Sequence, residues 1–150
     1  GLERGLACVV PLIPAASLVP LIQRDRSPTE RLALDAIGFT DDLLDEAFAP
    51  HAPLRHRPRV APEGRLIVAG RSDRVCPPEQ AEALWRHWKE PAIHWFPGSH
   101  LVRSGAVDTA HRIDAHLFDT LLAPGSAAPT LTRFRPRTHR AATPAQDQPS

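Results

Sequence analysis

The sequence predicts an α/β fold: a parallel sheet of about three strands, flanked by helices and interrupted by a helical insertion. Three observations lead there. The runs Gly5–Ile13, Arg65–Gly70 and Ala92–Phe96 are apolar without alternation, as strands covered on both faces are. Between and after them, apolar residues recur at helical spacing, giving the order strand, two helices, strand, helix, strand, helix, which suits parallel strands joined by crossovers. Finally, 150 residues suffice for one domain with one core.

Each element has its own local reason. "GLACVVPLI" is β-branched at Val9 and Val10 and reads as the first strand. Ser27-Pro28 is a helix start, and Leu32, Ala33, Ala36 and Ile37 keep helical phase until Gly38 ends it. A second short helix follows Thr40, with Leu43, Leu44, Ala47 and Phe48 on one face. Pro50–Gly64, with four prolines and the basic run Arg55, His56, Arg57, Arg59, reads as a surface connector. Pro77 and Pro78 open a helix whose Ala81, Leu84, Trp85 and Trp88 form one stripe, and Pro91 stops it. The phase of both tryptophans says core. After "AIHWF", Pro97-Gly98 turn the chain into Ser99-His100, and a last helix is expected from Ser104, with Ala106, Ala110, Ile113, Leu117 and Leu121 on one face.

Composition narrows the function classes. Net charge is +1, yet Pro124–Ser150 holds four arginines (Arg133, Arg135, Arg137, Arg140) against one aspartate, so this segment is +3 and the remainder −2. With five prolines and few large apolar residues, 124–150 is expected to be a disordered Pro/Arg-rich tail, following a domain over 1–123. Without aromatic interleaving or a binding fold, the basic run does not predict nucleic-acid binding. Cys8 and Cys76 are isolated thiols, which suggests a reducing, cytoplasmic setting and no zinc cage. His111 and His116, five apart, do not form a helical metal pair, and no metal or cofactor is expected. His94 lies within a strand and is expected to pack. Leu6–Ile22 contains Pro11, Pro14 and Pro20 and is shorter than the ~20 residues a membrane span needs. With Arg4 before it and Ala15-Ala16-Ser17 after it, a secretory signal ranks as the last reading of that segment.

The chemistry points to two loops. Parallel sheets place their sites at the carboxyl ends of strands, and Asp73 and His100 each follow such an end, 27 residues apart through one helical crossover. A carboxylate that binds one imidazole nitrogen fixes the tautomer and leaves the other nitrogen to take a proton from a nucleophile. Asp73 and His100 are therefore the candidate catalytic residues.

"RLIVAGRSDRVCPPEQAEAL" followed by "IHWFPGSHL" resembles the carboxyl-terminal part of an α/β-hydrolase, where one strand ends in Gly-x-x-Asp-x-x-x-Pro and a later one in a Gly-containing turn and His. The likeness runs over about Gly5–Leu122. It implies Asp73 as the triad acid, His100 as the base, a cap over about residues 14–64 and a small hydrophobic ester-like substrate. That family's Gly-x-Ser-x-Gly elbow is absent: Ser17, Ser27, Ser99, Ser104, Ser126 and Ser150 lack the flanking glycines, and Ser72 sits in the acid loop. Cys8, in an apolar strand, is no substitute. With no Met at position 1, the sequence is expected to begin within a domain, the nucleophile and oxyanion donors lying before Gly1. The expectation is a serine-hydrolase (esterase-like) fragment, inactive alone. The alternative is a non-catalytic remnant or interaction module that self-associates, or binds the missing N-terminal half, through the exposed edge of its first strand.

Overall fold

The computed structural model describes residues 5–102 and 104–122. The tail over 124–150, with its four arginines, lies outside the described residues, as do the last residue of the expected 1–123 domain and Arg4.

The chain is of mixed α/β class. Its sheet has two strands, β1 (Leu66–Gly70) and β2 (Ala92–Phe96), parallel and in register from Leu66 opposite Ala92 to Gly70 opposite Phe96. The expected third strand is a correction. Residues 9–12 do run parallel to β1 on its other side, but they meet it only at two isolated bridges, Val9 with Arg65 and Leu12 with Val68. Val9 N donates to Gly64 O, Leu66 N to Val9 O, Val68 N to Pro11 O and Ile13 N to Val68 O. A continuous ladder would also need position 11 to donate to Leu66 O. Pro11 has no N–H, so both intermediate pairings fail and an edge segment replaces a strand.

β1 is thus sandwiched, and all five of its residues are buried. Its alternation splits the core. Ile67 and Ala69 point to one face, where they meet Ala81, Leu84 and Trp88 of helix α4 (Pro78–His87) and its C-cap, together with Ala16, Ile93 and Trp95. Leu66 and Val68 point to the other, meeting Phe96, Val10, Ile13 and Ile113 of helix α5 (Ala106–Leu121). Truncating the fully buried Ile67 to Ala would remove about 2–5 kcal/mol. The two tryptophans at the end of α4 are core residues as expected: Trp88 is buried and Trp85 packs beside it, donating Nε1–H to Pro91 O at 2.8 Å.

Ahead of the sheet lie α1 (Val19–Arg24), α2 (Pro28–Ala36) and α3 (Asp41–Phe48), then single 3-10 turns at Ala49–His51, Pro53–Arg55 and Pro62–Gly64. Ser27 and Glu30 close a capping box on α2, and Thr40 caps α3. The expected stripe on α2 has no partner among the described residues: Leu32 and Ile37 are 71% and 78% exposed. The segment 50–64 is more than a surface connector, since Val60 and Gly64 are buried. α5 begins one residue later than expected, capped by Gly105 at φ 77° and not by Ser104. No helix among the described residues is long and apolar enough to cross a membrane.

Candidate functional site

The loops that leave β1 and β2 are joined through their backbones. Past the last ladder pair, Arg71 N donates to Phe96 O at 3.1 Å and Ser72 N to Gly98 O at 2.9 Å, so the parallel pairing runs on into the turns. The approach leaves no room for side chains. A Cβ on Gly70 would lie 2.9 Å from Gly98 O, and one on Gly98 would lie 2.4 Å from Val102 O. Ser99 N donates to Val102 O, and Val102 N to Ser99 Oγ, closing a turn around residue 100.

This lock sets Asp73 against His100. Oδ2 of Asp73 accepts from Nδ1 of His100 at 3.0 Å. Oδ1 accepts from Val75 N at 2.8 Å and Cys76 N at 2.9 Å, an Asx-type turn leading into α4. The Asp73 side chain is fully buried and that of His100 is 35% exposed. Because a carboxylate oxygen only accepts, Nδ1 carries the ring proton, and Nε2, which bonds no described residue, is left with its lone pair. The arrangement can hold an imidazole in one tautomer, receive a proton at Nε2 and stabilise the resulting cation.

Other contacts brace the acid loop. The Arg24 guanidinium, at the end of α1, donates to the carbonyl of Arg74. Gln80 Oε1 accepts from Ala16 N at 2.9 Å and Ser17 N at 2.7 Å, fastening the exit of the edge segment to α4. Burial, and then the charge of Asp73, push the Cys76 thiol up, with Arg24 partly offsetting them. Cys76 is held protonated and is a poor nucleophile.

Sequence reasoning named Asp73 and His100 but missed what aims them: the N–H groups of Val75 and Cys76, and the Gly70–Gly98 contact. The first was foreshadowed by an Asp four residues before Pro77, the second by a glycine at the end of β1 and another two residues past the end of β2. His94 packs as expected, its Nε2 lying 3.2 Å from Thr109 Oγ1 and 3.6 Å from Asp108 Oδ2. His111 is exposed on α5, while His116 Nε2 is buried without a partner among the described residues. Among the described residues, no group of three or more His, Cys, Asp or Glu is placed to hold a metal ion. Nor does any described serine hydrogen-bond His100; Ser72 is exposed on the acid loop.

Two apolar cavities flank the sheet. One of about 200 Å³ lies between the edge segment and α5, lined in part by Leu12, Val68, Phe96 and Ile113. One of about 460 Å³ lies on the α4 side beneath the prolines and histidines of 50–58. Neither is lined by Asp73 or His100.

Over 100 residues the chain is 38% identical to the uncharacterized proteins Rv2627c and MT2702 of Mycobacterium tuberculosis, strains H37Rv and CDC 1551 respectively. The match takes in 66% of this chain and 24% of each relative, so the chain spans about a quarter of their length. No family model and no solved structure matches it.

Proposed function

We propose that this chain carries the acid and base of a serine-hydrolase site of the α/β-hydrolase kind, acting on a small hydrophobic ester. One observation carries the reading: the buried carboxylate of Asp73 at 3.0 Å from Nδ1 of a partly exposed imidazole whose Nε2 is unspent, at the carboxyl rim of parallel strands. His100 takes the proton of a serine hydroxyl as its oxygen attacks the ester carbonyl. It then returns that proton to the departing alkoxide, and Asp73 steadies the imidazolium between the two steps. Water repeats the sequence on the acyl-serine.

No Gly-x-Ser-x-Gly occurs in these 150 residues, so serine and oxyanion donors are assigned to residues outside this sequence. A relative's length about four times that of the matched stretch is compatible with such an arrangement. Fluorophosphonate labelling tests it on two samples, the 150-residue chain and the product of its gene read from its own start codon. Expected is no label on the first above that of its His100→Ala variant, and a labelled serine on the second that His100→Ala abolishes. Label on the short chain, or a serine label indifferent to His100, overturns the proposal.

Leu12 on the edge segment and Leu6 just before it, 48% and 46% exposed, favour a second reading: an interaction module that associates through this edge. Light scattering decides it. A monodisperse monomer that melts cooperatively rules it out.

A further inference from the structure

At the rim of the sheet opposite Asp73 and His100, where β1 and β2 begin, a cavity of about 490 Å³ is lined by Arg57, Pro58, Pro62, Arg65, His87 and Lys89. No carboxylate lines it, and none of its three cations forms an ion pair among the described residues. Glu63 and Glu90, their chain neighbours, are exposed and do not line it. Arg65 is the unusual member. It is 7% exposed, and a guanidinium that far from water ordinarily has a counter-ion. Here it has two carbonyls: Nε donates to Val60 O and Nη1 to Trp88 O, each at 2.7 Å. These bonds fix its plane and leave Nη2 without a described partner. The Trp88 carbonyl ends α4, so the negative pole of that helix is already met by Arg65. His87 is fixed too, its Nε2–H donating to His56 O at 2.8 Å.

We infer that this cavity binds a small molecule bearing a phosphate or diphosphate group. Three unpaired cations around one space call for a ligand with several negative charges. One phosphoryl group brings about two, and a single carboxylate only one. The volume exceeds what inorganic phosphate fills and leaves room for the rest of a metabolite. Arg65 supplies a pre-positioned donor, while Arg57 and Lys89, both exposed, close on the anion from the mouth.

The test is calorimetric titration of the full chain with inorganic phosphate, pyrophosphate and citrate at constant ionic strength. Pyrophosphate should bind saturably and most tightly. The double variant Arg57→Gln/Lys89→Gln, at exposed positions that do not endanger folding, should weaken it about ten-fold or more. Arg65→Gln should abolish it. His100→Ala should leave it unchanged, so the hydrolase proposal and this one fail separately. No saturable binding, or equal binding by the double variant, overturns the inference; the latter result would place the anion on other arginines of the chain. Citrate binding more tightly than pyrophosphate overturns the phosphate assignment.

Discussion

Replacing Asp73 by Asn exchanges one oxygen for an amino group, and the structure fixes which one. Oδ1 accepts from Val75 N and Cys76 N, so an Asn must keep its carbonyl oxygen there and turn its NH2 toward His100. Nδ1, now facing a donor, must accept, and the ring proton moves to Nε2. The tautomer inverts while the loop survives. In stability the change converts one charge-assisted bond into a neutral one and should cost about 1 kcal/mol. Asp73→Ala removes all three bonds and strands two backbone N–H groups; partly exposed as these are, about 2–4 kcal/mol is expected. Nitrogen-15 spectra of the histidine rings report the tautomer, and urea unfolding reports the stabilities. In the complete enzyme proposed above, Asp73→Asn should lower turnover by on the order of 10⁴-fold, the size seen when a triad aspartate elsewhere is so changed. An Asp73→Asn variant whose imidazole keeps its proton on Nδ1, or which is as unstable as the alanine variant, refutes the reasoning.

Further outcomes follow from other contacts. Gly98→Ala would drive a Cβ to 2.4 Å from Val102 O and 3.0 Å from Ser104 N; it should destabilise the chain by about 1–3 kcal/mol and erase the His100–Asp73 ring signature in the same spectra. Cys76, its thiol pushed up by burial and then by Asp73, should alkylate with iodoacetamide more slowly than a free thiol at pH 8, and faster in the Asp73→Asn variant, as peptide mapping would show. The sign for stability is that the folded chain holds this proton more tightly than the unfolded one. Its contribution is therefore complete below the ordinary thiol range and is lost as pH climbs through the raised value, visible as a falling melting temperature at alkaline pH. Pro11→Ala would supply the absent donor for Leu66 O, so amide exchange at position 11 should become protected. Stability should shift by less than about 1 kcal/mol, because the new bond is offset by the greater entropy of the unfolded chain.

The parts of the fold legible in the sequence were those where pattern and packing agree. β1 and β2 are solid apolar runs, and α4 has a proline start, an apolar stripe and a proline stop. The edge segment misled because its proline was weighed against a membrane span and not against the ladder: Val9, Val10, Leu12 and Ile13 say strand, while the single missing N–H at Pro11 decides otherwise. α1 went unseen, being six residues long with Pro20 inside its first turn and no stripe to reveal it. Ser104 carried the better capping side chain, yet the turn before α5 requires a left-handed residue, and Gly105 takes that place. At the site, the identities of Asp73 and His100 could be read from loop position. The backbone groups that aim them left only an indirect trace, the spacing of Asp73 to Pro77, because an N–H belongs to every residue but proline and leaves no mark on composition.

The join between the two loops has an evolutionary corollary. Because it is made of main chain, from Arg71 and Ser72 to Phe96 and Gly98, it does not depend on which side chains Arg71 and Ser72 present. Those positions can drift and remodel the rim while the imidazole keeps its aim. The burden of constancy then falls on two glycines, whose contribution is the bulk they lack.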